Sequence, residues 1–278
     1  MADEPPRSRE ARAAAEAALV RVVHHYGATP EFVLLGGLVP ELLCVGSTFR
    51  HAGTVDVDVQ VDLEIACGGA NAARLEQALR NAEFEPDGER GWRWIARTPR
   101  GRTVIKFELL ADVDTAPTEA TVRFEDSESL GAVNLRGTGF ATRDYASRRI
   151  SARVGGLEQT AEINVAGLAG FLLAKTAAAY ARRKPKDWYD LAYVLLHNDA
   201  GGPAAAGATV LARFGNDLVG SIRTALDDLA ANFNSPNAQG PRAYATQLLI
   251  DHPELDETTV LADAVLAVEE FHAGLFGP

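Results

Sequence analysis

Asp56 and Asp58 stand in a run, residues 54–63, in which apolar and polar residues alternate. Val55, Val57, Val59, Val61 and Leu63 fall on one side, and Asp56, Asp58, Gln60 and Asp62 on the other. A period of two predicts a strand with one face on a core. On such a strand the two carboxylates share a face, roughly 6.5–7 Å apart. Acids that close in an apolar setting repel each other, and a shared cation relieves them. Mg²⁺ suits this position, because it takes one or two carboxylates and fills its octahedron with water and phosphate oxygens. A solvated strand face would show the same residue types, and Gln60 and Asp62 extend that polar side. The preceding segment favours chemistry. Residues 32–35 predict a short buried strand, which runs into Gly36-Gly37 and then a helix over residues 38–45. Glycines let backbone N–H groups approach phosphates, and a helix start favours anions. A phosphate cradle followed by a two-acid strand would seat a Mg²⁺–nucleotide complex.

A third acid is Glu108. Residues 103–110 alternate so that Lys106 and Glu108 share one face while Ile105, Phe107 and Leu109 share the other. If this strand lies beside residues 54–63, Glu108 meets the same metal or serves as general base on an attacking hydroxyl. A solvent-facing Glu is the plain alternative. The second constellation lies further on. Lys175 sits inside an apolar helical stretch and must reach the surface or find an anion, such as a triphosphate or a carboxylate. Arg182, Arg183, Lys184 and Lys186 form a basic turn, suited to capping a helix C-terminus or to contacting phosphate. Asp187 and Asp190 follow on one face of the next helix. Asp187 fits a first-turn acid favoured by the helix dipole, and Asp190, among Trp188, Tyr189, Leu191 and Tyr193, requires a cation such as Lys175 or a nearby Arg.

The elements that must position these groups fall into two halves. Residues 7–25 predict an opening helix after Pro5-Pro6, and residues 70–81 a second, amphipathic one. Residues 92–96 and 103–110 predict strands around a turn at Pro99-Arg100-Gly101, and residues 150–154 and 159–163 a hairpin around Gly155-Gly156. Residues 119–135 look irregular, with one strand and a loop. From residue 164 the pattern is helical: 165–182, 186–198, a linker at 200–203, and three or four more helices. The expectation is an α+β fold: a mixed-sheet catalytic domain at 1–163 and a helical domain at 164–278.

The 278 residues are 47% apolar, enough for a sizeable core, and only 7% aromatic, so packing rests on small aliphatic side chains that suit close helix contacts. A net charge of −11 argues against a broad nucleic-acid scaffold while permitting a local basic patch. Cys44 and Cys67 lack metal-ligand or disulfide spacing and read as buried thiols. With no apolar leader and no long apolar run, the chain is expected to be cytoplasmic, with no membrane partner.

Taken together, Gly36-Gly37-Leu38, the Arg50 to Asp58 segment with its Asp-x-Asp, Lys175, Arg182-Arg183 and Lys186-Asp187-x-x-Asp190-Leu191 resemble the AbiEii-type, MenT-like nucleotidyltransferase toxins, a branch of the polymerase-β-like nucleotidyltransferases. The Asp-x-Asp is shared across that superfamily, whereas the Lys…Lys-Asp-x-x-Asp-Leu element is specific to the branch. The resemblance spans about residues 30–200. It implies a polymerase-β-like nucleotidyltransferase domain followed by a helical domain, and the toxin role in a toxin–antitoxin pair. It also implies transfer of a nucleotide from an NTP to the 3′ end of tRNA. Gly36 and Gly37 would hold the phosphates, Asp56 and Asp58 the Mg²⁺, Lys175 with Arg182 and Arg183 the triphosphate. Asp187 or Asp190 would be a further essential acid, and an antitoxin protein a partner. Two other readings fit the residues: transfer to a small cationic acceptor of the aminoglycoside kind, and a catalytically silent binding module.

Overall fold

The computed structural model describes residues 8–61, 70–98, 103–124 and 126–277. Cys67, the end of the Asp-x-Asp run at Asp62 and Leu63, the turn at 99–101 and the opening Pro5-Pro6 lie outside the described residues. The chain divides into two compact units: Met1–Leu38 with Gly53–Ala166, and Val39–Ala52 with Gly167–Pro278. Where the sequence suggests a single boundary after residue 163, this division gives residues 39–52 to the helical unit.

The first unit is built on one mixed sheet. Helix α1 (Arg9–Tyr26) begins where the Ser8 hydroxyl accepts the Ala11 N–H at 3.1 Å, and ends at Gly27 in the left-handed conformation. Strand β1 (Val33–Leu35) is wholly buried and leads to a 3₁₀ turn, Gly36–Leu38. Then come β2 (Asp56–Gln60), α3 (Ala70–Asn81), β3 (Glu85–Pro86), β4 (Arg93–Arg97) and β5 (Val104–Ala111). They are followed by β6 (Thr121–Arg123), β7 (Gly131–Asn134), the short α4 (Phe140–Arg143), β8 (Tyr145–Val154) and β9 (Leu157–Ala166). The α2 label belongs to Val39–Leu43, in the other unit. The sheet runs β3-β4-β5-β2-β1-β9-β8, with β7 added beside β5 and β6 beside β7. Strand β2 is antiparallel to β1 and parallel to β5. Val57, Val59, Phe107 and Leu109 lie fully buried on one face, as the alternation requires.

The structure departs from the sequence expectation in several places. Residues 119–135 hold two strands, β6 and β7, not one. Strand β7 is buried throughout, and the Asn134 side chain organises the neighbouring loop by donating to the Val113, Ala116 and Pro117 carbonyls and accepting from the Val113 N–H. Residues 164–166 are strand rather than helix, because Asn164 and Val165 pair with Val33 and Leu34 of β1. That ladder outweighs local helical preference. Gln60, expected on a solvated face, is 2% exposed.

The second unit is helical: α2, then α5 (Leu168–Arg182), α6 (Pro185–His197), α7 (Pro203–Phe214), α8 (Gly220–Asn232), α9 (Gln239–Asp251) and α10 (Glu257–Phe276). Small residues permit close packing here. A Cβ on Gly207 of α7 would stand 2.4 Å from the Phe271 carbonyl of α10, and one on Gly274 would stand 2.5 Å from the Ala204 carbonyl. Cys44 is buried, and burial pushes its thiol well above the ordinary range. Among the described residues no helix is long and apolar enough to cross a membrane.

Burial also pushes the His197 imidazole down to about 4, with its Nε2 3.0 Å from the Tyr244 hydroxyl. The unfolded chain binds a proton near pH 6.5 that the folded chain refuses until about pH 4. Between those values the unfolded state binds more protons, so stability falls as pH falls, by ~3 kcal/mol across the window. The measurement is the urea midpoint against pH. His197→Gln should flatten that slope, and an unchanged slope would place the acid sensitivity elsewhere.

Candidate active site

Two strand rows assemble the charged face of the first unit. In the first row Arg93 of β4 lies opposite Glu108 of β5, and Glu108 lies opposite Asp58 of β2. In the second, Ile95 lies opposite Lys106, which lies opposite Asp56. Because side chains alternate faces along a strand, this register alone puts three carboxylates and two cations on one surface. The Arg93 guanidinium approaches the Glu108 carboxylate at 2.6 Å through Nε and 2.5 Å through Nη2. The Lys106 ammonium stands 3.2 Å from Asp56 Oδ1. The Thr54 hydroxyl accepts the Asp56 N–H at 3.0 Å and fixes the start of β2.

The Gly36–Leu38 turn closes one side. Leu35 is the β1 partner of Asp58, so the turn begins directly beside that acid. Gly36 takes a φ of +74°, and a Cβ there would fall 1.9 Å from Asp58 Oδ2. A Cβ on Gly37 would fall 2.9 Å from the Thr54 Cβ. Arg12 of α1 donates to the Leu38 carbonyl at 3.0 Å and ties the turn to the helix. The sequence predicts one helix over 38–45; the chain instead makes this 3₁₀ turn and then the five-residue α2. Any phosphate contact here therefore rests on the turn's backbone rather than on the dipole of a long helix. If Asp58 takes part in chemistry, Gly36→Ala is expected to lower that activity by about 100-fold, since the added methyl displaces the Asp58 carboxylate by of order 1 Å. Turnover assays with circular dichroism as a fold control measure this, and near-normal turnover would show that the close approach is dispensable.

Among the described residues no cluster of three or more His, Cys, Asp or Glu side chains stands ready to hold a metal alone. The donor set fits a hard divalent cation that completes its shell from elsewhere. Asp56 and Asp58 offer oxygen ligands on one strand, and the missing Gly36 side chain leaves the Asp58 carboxylate room.

Within the helical unit the second constellation forms a buried charge network. The Lys175 ammonium of α5 lies 3.2 Å from Asp187 Oδ1 and 2.7 Å from Asp190 Oδ2, both on α6. Arg182 grips Asp187 with two bonds of 2.8 Å. His51 Nε2 lies 3.0 Å from Asp190 Oδ1. Both aspartate side chains are completely buried. Burial alone would raise the Asp187 carboxyl, but the Lys175 ammonium and the Arg182 guanidinium outweigh it and hold the group below the usual carboxylate range. Asp190 thus finds the cation its position demands, and Asp187 is more than a first-turn acid. Arg183 caps α5 in the left-handed conformation and pairs with Asp228 at 2.8 Å. His51 and Arg93 carry no sequence signal of their own; each is tied to its acid by strand register or tertiary packing.

Among solved structures, an antigenic nucleotidyltransferase-like protein from Paracoccidioides brasiliensis is 15% identical, over 93% of this chain and 95% of its own, with a TM-score of 0.46. JHP933 from Helicobacter pylori is 14% identical, over 96% of this chain and 94% of its own, with a TM-score of 0.45. No curated protein matches the sequence. The family model described as nucleotidyl transferase AbiEii toxin, type IV toxin–antitoxin system, matches residues 17–265. That span takes in both charged constellations, and the chain belongs to the AbiEii family of nucleotidyltransferase toxins.

Proposed function

We propose that the chain transfers a nucleoside monophosphate from an NTP to the 3′-terminal hydroxyl of tRNA, with Asp56 and Asp58 as ligands of Mg²⁺. The observation that carries this reading is the placement of Asp58 between Glu108 on the parallel strand and the side-chain-free Gly36. The acceptor oxygen would attack the α-phosphorus while the bond to the bridging oxygen breaks and pyrophosphate leaves. Glu108 would take the hydroxyl proton, its carboxylate oriented by Arg93. The Gly36-Gly37 backbone would lie against the phosphates. When bound, Mg²⁺ lowers the pKa of the attacking hydroxyl and neutralises charge on the leaving group.

For the helical unit, the family resemblance supports a triphosphate role for Lys175, Arg182 and Arg183, with Asp187 and Asp190 holding the first two in place. Capping of the acceptor end would stop aminoacylation in the cytoplasm, and an antitoxin protein would counter it. The net charge of −11 favours a second acceptor class, a small polycation.

The test incubates the protein with Mg²⁺, each labelled NTP in turn, and either total tRNA or an aminoglycoside. Label in tRNA supports the first reading, and label in the aminoglycoside supports the second. Label in neither would overturn both.

A further inference from the structure

Among the described residues, Lys106 and Arg93 stand on the acid face, and Lys106 has the position of a placeholder. Lys106 is the β5 neighbour of Asp56, and its ammonium stands 3.2 Å from Oδ1 of this carboxylate, which is proposed above to bind Mg²⁺. Its side chain is 28% exposed and that of Asp56 17%, so the pair lies at the surface of the face and the ammonium can turn outward. Arg93 is placed differently. It grips Glu108 with two short contacts, is 14% exposed, and packs over the Trp92 ring at 4.9 Å. A guanidinium so held is a fixed strut, whereas a lysine ammonium on a flexible four-carbon stem is a mobile point charge.

We infer that Lys106 is a resident counter-ion that competes with the divalent cation for Asp56 and, once displaced, binds the nucleotide's phosphates. The inference rests on the proposed metal role of Asp56 and Asp58. Its physical basis is charge balance. Three carboxylates on one surface need compensation before any metal arrives, and Lys106 and Arg93 supply two positive charges. Arrival of a divalent ion makes the ammonium at Asp56 redundant and repels it. The nearest new anion is then the polyphosphate that the metal itself binds. One side chain would thereby couple metal loading to nucleotide capture.

This scheme makes the two ligands respond in opposite directions. Lys106→Met removes the competing charge and keeps the length of the side chain. Mn²⁺ binding, followed by electron paramagnetic resonance on the nucleotide-free full-length chain, should tighten about 3- to 10-fold. Binding of each ribonucleoside triphosphate at saturating Mn²⁺, followed by calorimetry, should weaken about 10-fold for the NTP that the wild type prefers. Lys106→Arg keeps the competing charge and should bind Mn²⁺ no more tightly than the wild type does. A lysine that merely props up the strand would, when removed, weaken both ligands, and that result, or no change in Mn²⁺ affinity, overturns the inference. The underlying reading fails separately: if Asp56→Ala/Asp58→Ala binds Mn²⁺ as well as the wild type does, the metal site itself is misassigned.

Discussion

Asp58→Asn is expected to lower nucleotidyl transfer by about 1,000-fold or more, which is ~4 kcal/mol of transition-state stabilisation. The amide keeps the shape of the side chain but loses the charge that a divalent ion requires. Asp58 is also the acid with the least room for substitution, because Gly36 backs directly onto its carboxylate. Stability should move little or even rise, since removing one of three neighbouring carboxylates relieves repulsion. Transfer of labelled nucleotide and thermal melting measured on the same preparation separate the two effects. Full turnover by the variant would remove Asp58 from the chemistry, and a collapse in melting temperature would show that the charge is needed for folding instead.

Asp187→Ala should cost about 3–5 kcal/mol of stability, because the change leaves a buried ammonium facing one carboxylate instead of two and strips Arg182 of its bidentate partner. The loss should depend on pH in a defined direction. The folded Asp187 carboxyl lies below its unfolded value of 3.8. Its contribution is therefore complete above that value and disappears as pH falls through the lower, folded one. Urea unfolding of wild type and variant should thus differ at neutral pH and converge in strong acid. A constant difference across that range would mean that packing, not charge, carries the effect.

Much of the charged face of β2 and β5 is legible from residue order. Alternation placed Asp56 with Asp58 and Lys106 with Glu108, because a strand buries every second residue and both runs are flanked by Val, Ile, Phe and Leu. Adjacency of the two strands could be posed only as a condition, since register between distant segments leaves no local trace; the parallel pairing of Asp58 with Glu108 meets it. Arg93 carries no sequence signal for the same reason. Its importance comes from lying across β5, a fact about pairing rather than about its neighbours in sequence. The helix expected through Val165 failed because Ala and Leu near residue 166 favour helix locally while β1 offers a ladder partner. The lysine–aspartate network was partly readable, since a charge inside an apolar helix must find a counter-charge. His51 was not, because a lone histidine before Ala52 and Gly53 has no periodic signature.

The parallel pairing of β2 with β5 has a bearing on how the chain is made. Asp58 and Glu108 cannot meet until α3, β3 and β4 have all been synthesised, because those elements lie between them in the chain. Parallel partners so far apart carry a large loop-closure cost and form late. A nascent chain emerging from the ribosome would therefore carry its first two acids long before the third joins them. If Asp58 and Glu108 act together as proposed, no nucleotidyl transfer is possible until that pairing closes.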